Sequence, residues 1–242
     1  MPETNIATDI ATSTPFLHHL VFGIYPYIAV LVMVLGSILR YDRDQYSWKA
    51  NSSQLLRSKG MRLGSNLFHI GIILLFFTHL VGLLTPESLY HYVISTEAKQ
   101  IMAMVGGGIL GVICFIGLTI LIIRRMTDPR IRATSKFSDM LLLWVLYVQL
   151  ILGLISIFYS ARHMDGSSMV ALGNWAQHIV TFRSGAADFI VHEPWVFKAH
   201  LALGLTIFLI FPFTRLVHMF SAPVKYLLRS GYQIVRRRGR AG

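Results

Sequence analysis

The chain has 242 residues, 54% of them hydrophobic and only 14% charged, with a mean hydropathy of +0.58 and a formal net charge of +11. A soluble domain carries about 25% charged residues, so this composition excludes a water-soluble globular protein. The basic residues sit in short loops beside apolar runs, which excludes a nucleic-acid surface as the meaning of the charge.

A bilayer core needs about 20 apolar residues per crossing helix, and five windows meet that length. Residues 1–19 contain Glu3 and Asp9 but no lysine or arginine, so they read as an outer N-terminal extension and not as a cleavable signal. The first span, Leu20–Leu39, is uncharged, and the second, Gly64–Leu84, carries only two histidines. Thr85-Pro86 stops it. The third span, Ile101–Ile123, contains Gly106, Gly107, Gly108, Gly111 and Gly117, small residues that favour close approach of a neighbouring helix over a flat cofactor. Cys114, the single cysteine, lies in this span. It leaves no disulfide frame, no thiolate set for an iron–sulfur cluster and no C-x-x-C-H site.

The fourth span is Met140–Tyr159. The segment after it, residues 160–198, has turns at Asp165-Gly166 and Ser184-Gly185. Met169–Phe182, around Trp175, reads as a short helix lying in the membrane interface. The fifth span runs from Ala199 through Phe213 to about His218. The expected fold is an all-α integral membrane protein, a five-transmembrane-helix bundle over residues 20–222. A basic tail, 223–242, carries Lys225, Arg229, Arg236, Arg237, Arg238 and Arg240.

Eighteen lysines and arginines fall in segments 40–62 and 124–139 and at the C-terminal end, against four (Lys99, Arg162, Arg183, Lys198) on the other side. The positive-inside rule then places the N-terminus outside and the C-terminus in the cytoplasm. The tail reads as a docking element for a cytoplasmic partner, with attraction to anionic lipid as the alternative.

Four of the ten histidines lie inside spans: His69 and His79 in the second, His200 and His218 in the fifth. Ionisable groups in a bilayer are expensive and mark function. At ~1.5 Å rise per residue, His69 and His79 stand ~15 Å apart and His200 and His218 ~27 Å apart. Neither pair on one helix can share a metal, so each metal bridges the two helices. The helices run antiparallel, which joins His79 to His200 near the outer face and His69 to His218 near the inner face. The reading is two non-covalent b haems, each iron held by two axial histidines, roughly 20 Å apart. With both axial positions filled, such a haem carries electrons and does no bond chemistry. The mismatch between ~15 and ~27 Å calls for tilt, and Pro212 predicts a kink. Arg215, nearly one turn before His218, is a candidate partner for a haem propionate.

The residues also resemble a known family. Ile24-Tyr25-Pro26-Tyr27-Ile28, Leu39-Arg40-Tyr41-Asp42, Ser65-Asn66-Leu67-Phe68-His69-Ile70-Gly71, Lys99-Gln100, Met102-Ala103-Met104, Pro129-Arg130-Ile131-Arg132-Ala133-Thr134, His163-Met164-Asp165-Gly166 and Phe211-Pro212-Phe213-Thr214-Arg215-Leu216-Val217-His218 are similar to the gamma subunit of respiratory nitrate reductase. The resemblance runs from about Gly23 to about Val235, and the histidine spacings match it.

The resemblance implies a quinol site beside the outer haem, with Lys99 helping to hold the quinone. It also implies an iron–sulfur (beta) subunit and a molybdenum-containing catalytic (alpha) subunit on the cytoplasmic face, in a prokaryotic cytoplasmic membrane. This chain would then be the quinol-oxidising subunit and would hold no nitrate-reducing site itself. Thr78 beside His79 departs from the family, where glycine is expected, and the N-terminal extension is longer. Competing readings are the same cytochrome serving a formate dehydrogenase or a disulfide reductase, a proton-relay transporter, and a passive anchor. The relay lacks a carboxylate inside any of the five windows, and a b-type spectrum with two haems per chain separates the haem readings from the other two.

Overall fold

The computed structural model describes residues 15–49 and 52–221. Most of the expected N-terminal extension and all of the expected basic tail lie outside these residues. Among the described residues every regular element is helical. The principal helices are α1 (Phe16–Arg43), α2 (Met61–Leu84), α3 (Thr96–Thr127), α4 (Phe137–Ser160), α5 (Ser167–Val180) and α6 (Trp195–Ile210). The first four, and Trp195–Phe213, are long and apolar enough to cross a membrane. The five expected spans are therefore present. Their outward faces carry Leu31, Val81, Ile109 and Trp144, all exposed, as a lipid-facing surface requires.

Neighbouring helices pack in the order α2, α3, α4, α6, α1, with α5 laid against α2. The α2–α3 contact is the tightest because both faces are stripped to small residues. A Cβ on Gly71 would lie 2.6 Å from the Cys114 Cβ, and one on Gly117 would lie 2.3 Å from the Phe68 backbone nitrogen. The Cys114 thiol is buried there and donates to the Phe68 carbonyl at 3.7 Å. Gly111 meets Leu154 of α4, whereas Gly106 and Gly107 have nothing within 4 Å of the Cβ they lack. The glycines of the third span thus divide between two helix neighbours and open space. No comparably packed face joins α2 to α6 or to α1 among the described residues. α2 is thus held chiefly by α3 and α5.

Three sequence expectations need correction. α6 ends at Ile210 instead of continuing to His218; the chain passes through a 3₁₀ turn, Phe211–Phe213, an extended Thr214 and a second 3₁₀ stretch, Arg215–Ser221. Pro212 supplies the cause, since it has no N–H to continue the ladder. The Trp175 side chain does not face outward. Its helix forms, as Ser167–Val180, but the side chain is buried with Phe22, Ala29 and Ile190, and its Nε1–H donates to the Phe22 carbonyl at 2.9 Å. Pro26 cannot donate to that carbonyl from four residues on, and α1 goes through a π-helical turn, Leu20–Ile24, just before it. Third, Asp139 belongs to the first turn of α4 and is buried, so the fourth span does carry a carboxylate.

The α2–α3 seam predicts a sharp contrast. Gly117→Val should destabilise the protein by about 1–3 kcal/mol through overpacking, or prevent assembly. Gly107→Ala, facing open space, should change thermal unfolding in detergent little. Equal effects from the two would show that the seam is not what holds α2 to α3.

Candidate functional site with two facing histidine pairs

α2 and the chain of α6 with its 3₁₀ extension present their histidines to each other. The His79 and His200 ring centres lie 6.2 Å apart with the planes inclined 34°. The His69 and His218 ring centres lie 6.3 Å apart, inclined 72°. These are the two pairs that antiparallel helices require. The break after Ile210 also removes the mismatch in helical rise, because His218 is reached by a turned chain and not by two further helical turns.

Each histidine is fixed by a hydrogen bond at Nδ1. His69 donates to the Ser65 carbonyl and His79 to the Leu75 carbonyl, both at 2.7 Å and both one turn back on α2. His218 donates to the Arg215 carbonyl. His200 donates to the carbonyl of Gln149, on α4, at 3.1 Å. A carbonyl can only accept, so all four rings carry their proton on Nδ1 and leave Nε2 as a lone-pair donor. That is the tautomer and outer-shell pattern of metal-binding histidine.

The spacing fits as well. A metal bonded at ~2.0 Å to one nitrogen of each ring, with roughly 1.2 Å from nitrogen to ring centre, places the centres about 6.4 Å apart. Among the described residues no three His, Cys, Asp or Glu side chains converge to hold a bare metal ion. The histidines come as opposed pairs, the donor set of a planar macrocycle that supplies the remaining ligands itself.

Beside His79, the Thr78 hydroxyl donates to the same Leu75 carbonyl at 2.9 Å. Lys99 lies in the first turns of α3 instead of ahead of the helix. Its ammonium sits 3.7 Å from the centre of the Tyr90 ring and donates to the Thr85 carbonyl at 3.4 Å, at the end of α2 that carries His79. The next residue, Gln100, is almost wholly buried. Its Nε2 donates to the Ser160 and His163 carbonyls at 3.0 and 2.8 Å, and its Oε1 accepts from the Gly166 amide at 2.9 Å. Gln100 thereby fastens the start of α3, and Lys99 with it, to the segment His163-Met164-Asp165-Gly166.

At the other end, Arg215 is engaged with protein. Its Nε donates to Asp139 at 2.8 Å and a second guanidinium nitrogen reaches the other carboxylate oxygen. Arg125 stands 3.8 Å from the same carboxylate. Arg124, counted in the sequence only as topological charge, is buried and donates to Ser53 at 2.6 and 2.9 Å. Asp128 pairs with Arg57 at 3.2 Å. Burial alone would raise the Asp128 pKa, but the Ile131 amide, Arg57 and the Arg130 amide together bring it below the usual carboxylate range. Arg40, at the end of α1, donates to the Pro212 and Thr214 carbonyls at 2.6 and 2.8 Å. No motif pointed to that role. The only sequence signal was that Pro212 must leave backbone groups without helical partners.

Comparison with known proteins identifies relatives of this chain. The profile of the family described as nitrate reductase gamma subunit matches residues 18–238. The respiratory nitrate reductase 1 gamma chain of Escherichia coli strain K12 is 52% identical over 223 residues, which cover 92% of this chain and 99% of that one. The nitrate reductase gamma chain of Bacillus subtilis strain 168 is 38% identical, covering 90% of this chain and 98% of that one. The nitrate reductase-like protein NarX of Mycobacterium tuberculosis strain H37Rv is 31% identical over 98% of this chain but only 37% of its own length.

The buried charge cluster yields a prediction. Asp139→Asn leaves Arg215 and Arg125 without their carboxylate, and removing one partner of a buried pair costs about 3–5 kcal/mol. Arg132→Gln, an exposed change in the same region, should stay within about 0.5 kcal/mol. Denaturant unfolding in detergent compares the two, and equal stability would remove Asp139 as the anchor of this end.

Proposed function

This chain belongs to the nitrate reductase gamma subunit family, and from that premise we propose that it oxidises membrane quinol near the outer face and delivers the electrons across the membrane to nitrate reductase partners. It is a multi-pass protein of the bacterial cytoplasmic membrane and part of a nitrate-reducing oxidoreductase. The proposal rests chiefly on two opposed histidine pairs, 6.2 and 6.3 Å between ring centres, each with Nδ1 committed to a carbonyl. His79 and His200 would hold one haem b toward the outer end, and His69 and His218 the other toward the inner end. When bound, the two haems supply one-electron carriage along the bundle.

The remaining chemistry is the chain's own. Lys99 donates a hydrogen bond to a quinone oxygen from its place over Tyr90, where one carbonyl acceptor leaves its other N–H groups to point elsewhere. The basic loops lie on the cytoplasmic side, with the N-terminus outside. The iron–sulfur and molybdenum-bearing subunits dock on that side, and the basic tail contributes to the docking. Protons leave quinol outside while its electrons are used inside, so each electron crossing ~100 mV stores ~2.3 kcal/mol. Arg215, already paired with Asp139, can meet a propionate only through the edge of its guanidinium.

Two experiments test this reading. His79→Ala and His200→Ala should each remove the same one of two b-type spectral components, and His69→Ala and His218→Ala the other. Loss of one component by both His79→Ala and His218→Ala would break the pairing. Lys99→Ala should keep both haems and slow quinol-driven haem reduction by tenfold or more; an unchanged rate would exclude Lys99 from the quinol site.

A further inference from the structure

Three of the four histidines donate Nδ1–H to a carbonyl in their own stretch of chain, three or four residues back. His200 alone reaches across to another helix. Its Nδ1–H goes to the backbone carbonyl of Gln149 on α4 at 3.1 Å, and the Gln149 side-chain Nε2 returns the bond to the His200 carbonyl at 3.0 Å. The same amide nitrogen lies 3.4 Å from His200 Nε2.

The backbone is cleared for this exchange on both sides. In a helix the carbonyl of residue i is overlain by residue i+4, and here both such residues, Gly153 and Gly204, lack a side chain. A Cβ on Gly153 would lie 3.0 Å from His200 Cε1, and one on Gly204 would lie 3.2 Å from Gln149 Nε2. The exchange also leaves something undone, for Gln149 Oε1 is buried with no hydrogen-bond partner among the described residues. Turning the amide over would bring Oε1 against the His200 carbonyl, two acceptors face to face. The side chain is therefore held with its nitrogen toward His200 even though its oxygen goes unsatisfied.

We infer that Gln149 is a positioning residue for the outer haem: its side-chain bond to the His200 carbonyl holds the two helices in the register at which the His200 ring reaches the Gln149 backbone carbonyl, and so sets the orientation and the donor strength of that ligand. This inference rests on the reading of His200 as a haem ligand. Hydrogen bonding at Nδ1 makes the opposite nitrogen more basic. A more basic ligand favours the oxidised iron, so slackening the exchange raises the potential of that haem. The inner pair lacks this device, so it stays as it is. His200 and α4 are also coupled, so a movement of α4 is felt at one haem and not at the other.

The test is redox titration of the purified chain with its partner subunits, following the two b-type components separately, together with their low-spin electron paramagnetic resonance signals. Gln149→Leu should raise the reduced-to-oxidised ratio of the outer component several-fold at fixed applied potential, where tenfold corresponds to 59 mV, and should alter its resonance signal alone. Gly204→Ala, which keeps Gln149 and His200 but crowds the amide, should shift the same component by less. If Gln149→Leu fails to assemble, Gly204→Ala decides the matter alone. Potentials and signals indistinguishable from the unaltered protein, or equal shifts at both components, would overturn the inference. Fewer than two haems in the unaltered chain would instead overturn the haem reading on which it stands.

Discussion

Pro212 has no amide hydrogen to give, and the end of the bundle that carries His218 is organised by how the backbone around this break is satisfied. In a bilayer an orphaned carbonyl costs several kcal/mol, so a helix cannot simply stop. Here the Phe211 amide takes the Phe208 carbonyl that Pro212 cannot serve, and Arg40, from α1, donates to the Pro212 and Thr214 carbonyls beyond the break. Gly36, one turn earlier on α1, admits the proline ring; a Cβ there would lie 2.8 Å from its Cγ. With these two accommodations the chain turns, Thr214 extends, and His218 arrives 6.3 Å from His69. Arg215 then closes the turned segment onto Asp139 of α4. A cation from one helix and a carboxylate from another thus convert a broken helix into a fixed position for His218.

The two long faces of α2 are used in opposite ways. One is packed on α3 so closely that glycine is required at Gly64 and Gly71; the other bears His69 and His79, facing His218 and His200. Close packing on one side gives α2 a defined rotation about its axis. That rotation aims His69 and His79 the same way even though no helix supports them from the front. The fixed Nδ1 bonds to Ser65 and Leu75 finish the orientation within α2 itself.

The sequence carried much of this. The spans were legible because length and apolarity are set by the bilayer, and the histidine pairing because two antiparallel helices admit one arrangement. Their finer chemistry was not legible. The end of α6 depends on Arg40, 172 residues away from Pro212 in the chain. Trp175 looked like an interfacial residue because its partner, the Phe22 carbonyl, is freed by Pro26 in a distant helix. Asp139 fell one residue outside an apolar window and so escaped notice as a buried charge. Gln149 sits in the fourth span as an isolated polar residue, and nothing local distinguishes it from one that merely bonds a neighbouring helix; its partner is identifiable only once α4 and α6 are side by side.

The bond between Arg40 and the turn at Pro212 joins opposite ends of the chain. α1 is the first span to be synthesised and the turn it holds follows the last, so that turn cannot be fixed until every span between them has been laid down. The first helix made thus sets the position of the last segment made, and with it the place of His218.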